Sequence, residues 1–249
     1  MEPGRSDPYA TAACYYACGR LPYPRALVDS LREELRLDGK GRLLDVGCGP
    51  GSITHLLAPL FAEAVGVDAS GAMIEEAKAH AAPNERFAHL RAEDLPAGLG
   101  TFRVATLAQS FHWMDQPHVA PILSGMLEPE GALVHVGATT HRGDGDVPRE
   151  EIDALIRRYL GPWPPGRSDE RANLAAAGFD EPVEIEVPRN EVFSRSEDDV
   201  VASVYSLSYA SPARFGERRE AFERELRALL AGRTFTERPR AITLLVYRR

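Results

Sequence analysis

Three apolar runs in the first third of the chain set its architecture. GRLLDV (41–46) is a short apolar block interrupted by a single carboxylate, which predicts a strand buried on both faces. After it, Ile53, Leu56, Leu57 and Leu60 fall at i, i+3, i+4 and i+7, the apolar face of a helix. Gly47, Gly49 and Gly51 stand between the two. A second strand is predicted in EAVGVDAS (63–70), ending at Asp68, and a helix opening near Ser70 turns Met73, Ile74 and Ala77 inward. Strand, glycine turn, helix, strand, helix is the opening of a nucleotide-binding α/β unit. Farther along, helical spacing returns at Ile152, Leu155, Ile156 and Tyr159, in DDVVASVYSLSYASP, and at Phe222, Leu226, Leu229 and Leu230, where the helix ends at Gly232. PVEIEVP reads as a further strand, and ITLLVYRR as the one that closes the sheet.

The glycines say what the turn is for. A backbone that must turn sharply and lie against a ligand has no room for a Cβ, and the helix behind it offers unpaired N–H groups to an anionic part of that ligand. Asp68, about 20 residues beyond the loop, is where a carboxylate can accept both ribose hydroxyls of an adenosine cofactor. Two cofactor classes share this plan. A dinucleotide fingerprint places Gly or Ala where this chain has Ser52, and no second nucleotide-binding half follows, so an NAD-dependent dehydrogenase is the weaker reading.

Composition adds exclusions. A chain of 249 residues with 44% hydrophobic content can bury a sizeable core, and no linker-like stretch divides it, so one domain is expected. Acidic residues outnumber basic ones 37 to 29, a net charge of −8, which argues against an electrostatic grip on nucleic acid. The opening MEPGRSDPYATAACYY is not a signal peptide and no apolar run reaches membrane-spanning length, so a cytosolic protein without membrane partners is expected. Cys14 and Cys18, one helical turn apart, and Cys48, inside the glycine loop, match no zinc or disulfide framework and read as reduced thiols. GDGD (143–146) lacks the further ligands of a metal loop, so no metal is expected. Lysine occurs only at Lys40 and Lys78 among many arginines, which points to a GC-rich bacterial genome.

LLDVGCGPG (43–51) resembles motif I of the class I methyltransferases that bind S-adenosylmethionine (SAM). RAEDLP (91–96) is similar to that family's adenine-binding segment, TFRVATLAQSFHWMD to its fourth strand and following loop, and LEPEGALVHV to its fifth strand. YACGRLPYP and the AQ-x-x-HW-x-D pattern resemble the type-11 branch, which includes trans-aconitate methyltransferase-like proteins. Arg103, Arg91, Leu21 and Glu130 depart from the family pattern, and none touches motif I or Asp68. The resemblance implies a Rossmann-like α/β fold: a mostly parallel seven-stranded sheet flanked by helices, its last strand antiparallel, with helical cap elements. It implies SAM as cofactor, held by Asp45, Gly47, Cys48, Gly49, Asp68, Ala69, Met73, Ala92, Glu93, Asp94 and Gln109. Residues 1–40 would form a helical lid, with Tyr16 packing over SAM and Arg20 pairing with its carboxylate. Residues 41–138 would be the SAM-binding half, 139–178 an insertion roofing the substrate cleft, and 179–249 the C-terminal strands and helices.

Methyl transfer from a sulfonium needs an in-line nucleophile, exclusion of water and, for an alcohol or phenol, a base. His112 is the candidate base or acceptor-positioning group, and equally a structural corner together with Trp113. Phe111, Trp113, Trp163, Tyr205 and Tyr209 are the candidate walls of the acceptor pocket, although Tyr205 and Tyr209, like other aromatic residues in helical patterns, also suit a core. The expected function is transfer of a methyl group to a small molecule, a carboxylic acid or a natural-product hydroxyl or amine. The alternative is a SAM-binding module without turnover.

Overall fold

The computed structural model describes residues 7, 9–162 and 169–249; Trp163 lies outside the described residues. Two helices, α1 (Ala13–Gly19) and α2 (Arg25–Glu34), precede the alternating core. That core runs β1 (Arg42–Val46), α3 (Ser52–Leu57), β2 (Glu63–Asp68), α4 (Gly71–Ala79), β3 (Glu85–His89), β4 (Phe102–Ala108), α5 (Gln116–Met126) and β5 (Leu127–Gly137). There follow β6 (Asp144–Gly145), α6 (Arg149–Leu160), α7 (Glu170–Ala176), β7 (Val183–Val187) and β8 (Phe193–Arg195). The chain ends with α8 (Glu197–Tyr205), α9 (Pro212–Phe215), α10 (Arg219–Leu230), β9 (Phe235–Arg238) and β10 (Ile242–Tyr247).

Seven strands form one sheet in the order β3-β2-β1-β4-β5-β10-β7. Strands β1 to β5 pair in parallel, and β10 runs antiparallel to both β5 and β7. This is the mostly parallel, seven-stranded Rossmann-like sheet with an antiparallel last strand that the sequence led us to expect. The central strands are apolar throughout because both sheet faces are covered. Leu43, Ala64, Val104 and Val134 face α2 and α3, while Leu44, Val46, Val65, Leu107 and Leu133 face α5 and α7. Chain order reverses between β1 and β4, and the crevice at their carboxyl ends is where ligands bind in open sheets of this kind.

A second core lies outside the sheet. Ile152 and Ile156 of α6, Val200 and Val204 of α8, and Phe215, Phe222 and Leu226 pack into a cap over a small sheet of order β6-β9-β8, which the sequence pattern did not predict. The segment 139–178 is therefore divided rather than one roof: α6 joins the cap, whereas Leu174 of α7 is buried against the main sheet. Within residues 1–40, α2 does not suit a lid, since its Leu27, Val28 and Leu31 belong to the sheet core. Among the described residues no helix is long and apolar enough to cross a membrane.

Candidate functional site

The glycine loop leaves β1 at the switch point with Gly47, Gly49 and Gly51 all at positive φ. A Cβ on Gly47 would lie 2.4 Å from the Ser110 Cβ, so that glycine is required by the protein itself. A Cβ on Gly49 would meet nothing within 4 Å: this face of the loop borders open space. Asp68, at the end of β2, accepts the Gly49 N–H at 2.8 Å through Oδ2 and the Ser70 N–H at 2.8 Å through Oδ1. Burial raises its pKa, and those two N–H groups oppose the rise. Asp45 is fully buried, with Thr54 Oγ1 at 2.6 Å and Thr106 Oγ1 at 2.8 Å. Loss of water pushes its carboxyl up to about 6 despite both hydroxyls. The Cys48 thiol is buried and its pKa raised by desolvation, which leaves it a packing group facing Gly66.

From the other side of the crevice α1 delivers Tyr16 and Arg20. Arg20 caps the helix in an extended conformation, and its guanidinium lies 4.4 Å from the Tyr16 ring centroid. Its Nε donates to Ser206 Oγ at 2.8 Å, Nη2 to Ser206 O at 2.8 Å and Nη1 to Thr140 Oγ1 at 3.4 Å. These partners are all uncharged, and among the described residues no carboxylate pairs with Arg20. A cavity of about 540 Å³ joins Tyr16, Arg20 and Thr140 to Asp45, Gly49 and Ser52. A larger one of about 900 Å³ lies at the opposite end of the sheet among Arg36, Arg103 and Glu130, away from the switch point.

The remaining expected cofactor positions, Ala69, Met73, Ala92, Glu93, Asp94 and Gln109, do not line the 540 Å³ cavity. Ala69 is half-buried and accepts at its carbonyl from His89 at 3.0 Å, and Met73 is buried beneath α4. Ala92, Glu93 and Asp94 form a 3-10 turn in which Ala92 is buried and Asp94 exposed, while Glu93 accepts the Asp115 N–H at 3.1 Å. Gln109 follows β4 at φ 57, a left-handed conformation unusual outside glycine and common at functional sites. Two residues absent from the sequence reading join them. Asp7 Oδ2 accepts from Ser70 Oγ at 2.6 Å, beside Asp68, and the half-buried Tyr9 meets Trp113 edge-on with ring centroids 6.3 Å apart.

The acceptor positions divide. Phe111 and Tyr205 are fully buried, in the sheet core and the cap core respectively, and neither lines the 540 Å³ cavity. Trp113 is 51% exposed and faces the N-terminal segment. His112, in the 3-10 turn after β4, does not line the 540 Å³ cavity. Desolvation lowers its pKa, the nearby Glu170 carboxylate opposes this, and His135 adds to the lowering; His135 itself lies 3.1 Å from Glu170. Tyr209 stands near Asp153, Arg142, Arg20 and Arg149. His141 is pushed down to about 3, by burial first and then by Arg20, Arg142, Arg149 and Arg240. Three of these four guanidiniums are ion-paired, Arg142 with Asp153, Arg149 with Glu237 and Arg240 with Asp144. The sequence gives no signal for this cluster, because its members come from four separate segments.

An open α/β sheet with a glycine cradle, a carboxylate at the end of β2 and an uncompensated guanidinium opposite defines a class of adenosine-cofactor proteins. Residues 43–131 match the family model described as a methyltransferase domain. It is similar to an uncharacterized methyltransferase of Mycobacterium tuberculosis, 29% identical over 150 residues, which cover 60% of this chain and 59% of that protein. A structure of a putative type II methyltransferase from Anaeromyxobacter dehalogenans aligns with a TM-score of 0.55 at 26% identity, over 91% of this chain and 95% of that one. The fold is shared with a SAM-dependent methyltransferase from Thiobacillus denitrificans in complex with S-adenosylhomocysteine (SAH), at TM-score 0.53 and 16% identity, over 100% and 99% of the two chains.

Proposed function

We propose that the protein transfers the methyl group of SAM to a small-molecule carboxylic acid bound between the end of β5 and the cap. The observation that carries the cofactor half is the single cavity with the Gly49 and Asp45 cradle at one end and Arg20, free of any carboxylate partner among the described residues, at the other. SAM supplies an electrophilic methyl on a sulfonium when bound. In this reading Asp68 accepts the ribose hydroxyls, and each of its carboxylate oxygens keeps a lone pair beyond its bond to Gly49 or Ser70. Asp45 suits the ammonium of the methionine portion and Arg20 its carboxylate.

For the acceptor, we read an anion from the four guanidiniums around His141, three of which also face Asp153, Glu237 and Asp144. A carboxylate is ionised at neutral pH and needs no base, so the arginines have only to hold and align it. His141, kept neutral by its surroundings, adds no charge of its own. SAH formation from SAM with a panel of mono-, di- and tricarboxylic acids, against phenols and amines, is the test. Turnover with acids alone supports the reading, turnover with phenols or amines alone refutes the acceptor class, and SAM binding without turnover on any acceptor supports a binding module instead.

A further inference from the structure

Glu237, on β9 of the cap sheet, is a fully buried carboxylate remote from the glycine loop. Its Oε1 accepts from Arg149 Nη2 at 2.5 Å and from the Gly143 N–H at 2.8 Å, and its Oε2 lies 3.6 Å from Arg195 Nη1. Both arginines continue toward the same segment of α1. Arg195 Nη2 donates to Gly19 O at 3.0 Å and to Asp199 O at 2.9 Å. Arg149 Nη1 donates to Ser203 Oγ at 3.2 Å, Ser206 Oγ donates to Ser203 O at 2.7 Å, and Ser206 Oγ accepts from Arg20 Nε at 2.8 Å. Between these two arms α1 lies backbone-to-backbone on α8: a Cβ on Gly19 would come within 2.5 Å of the Ala202 carbonyl.

The trio is imperfect as a purely stabilising device. Glu237 Oε2, Arg149 Nε and Arg195 Nε are buried with no hydrogen-bond partner among the described residues, and an apolar trio of similar volume commonly stabilises a core at least as well. What the charged trio supplies is fixed geometry. We propose that Glu237 is a positioning residue for the cofactor: through Arg149, Ser203 and Ser206 on one arm, and through Arg195 and Gly19 on the other, it fixes the guanidinium of Arg20 where the cofactor's carboxylate binds. The inference rests on the reading of Arg20 given under the proposed function. Glu237 itself touches no ligand.

Two ligands separate positioning from general support. SAH carries the amino-carboxypropyl end, and 5′-methylthioadenosine is the corresponding thioether without it. In Glu237→Gln and in Ser206→Ala, equilibrium binding of SAH should weaken about tenfold while that of 5′-methylthioadenosine stays within about twofold of the wild type. Adding Glu237→Gln to Arg20→Ala should weaken SAH no further than Arg20→Ala alone, the non-additivity of residues that act as one unit. If both ligands weaken together, Glu237 merely supports the cap, and the proposal falls. Unchanged SAH binding also overturns it. Should Glu237→Gln not fold, Ser206→Ala decides by the same comparison. A wild-type protein that binds SAH no tighter than 5′-methylthioadenosine overturns the Arg20 reading itself, and the positioning role with it.

Discussion

Asp45 combines two demands that conflict, and replacing it by asparagine separates them. Its carboxyl is fully buried, held by Thr54 and Thr106, and shifted up to about 6 by desolvation. A carboxyl whose folded pKa lies about two units above its unfolded value takes up its proton more readily in the native state. Its ionisation therefore costs no stability at low pH and a growing amount as pH rises from about 4 to 6, reaching about 3 kcal/mol above that range. Asp45→Asn mimics the protonated form and keeps a hydrogen-bond acceptor and donor for the two hydroxyls. At pH 7.5 the ligand-free variant should be about 1–3 kcal/mol more stable than the wild type, and the difference should shrink toward zero near pH 4. Cofactor affinity should move the other way. If Asp45 receives the cofactor's ammonium, the variant should lose about 1.5–3 kcal/mol of SAM binding, roughly 10- to 150-fold in Kd. Urea denaturation across pH, paired with titration calorimetry of SAM at pH 7.5, measures both. A variant no more stable than the wild type at pH 7.5 refutes the desolvation argument, and one that binds SAM equally well refutes the ligand role.

Gly49→Val should fold, at a cost of about 1–2 kcal/mol for a branched residue at positive φ, yet bind no SAM, because its side chain would enter the space the loop leaves open; circular dichroism with calorimetry checks this, and retained SAM affinity would place the cofactor elsewhere. Asp68→Ala should reduce SAM affinity by about 1.5–3 kcal/mol and also release the Gly49 and Ser70 N–H groups, so unchanged affinity by calorimetry is incompatible with the site. His112→Ala should alter the rate on a carboxylic acid by less than about threefold and leave the pH–rate profile unchanged, since such an acceptor needs no base; a loss of about 10²-fold or more, with disappearance of a basic limb, would make His112 the base.

How much of this protein was legible in its sequence follows from the range of the forces involved. The glycine loop, Asp68 at the end of β2 and Ser70 as the cap of α4 rest on local backbone geometry, and a few consecutive residues specify them: Ser70 Oγ accepts the Met73 N–H as its position implied. The apolar continuity of β1 and β2 likewise announced strands buried on both faces. The cap was different. The strands β6, β8 and β9 are 2, 3 and 4 residues long, too short to carry a period, and they form only because α6, α8 and α10 give them a core to pack against. The helical pattern of α8 could not say whether Tyr205 faced a pocket or a core, because periodicity defines an apolar face without naming what covers it. For the same reason Glu237 looked like one acid among 37, yet the fold buries it between two arginines distant in sequence. Local conformational preference determined the cofactor loop, whereas the surroundings of Arg20, His141 and Glu237 depend on long-range packing, which brings together charges that no stretch of sequence holds side by side.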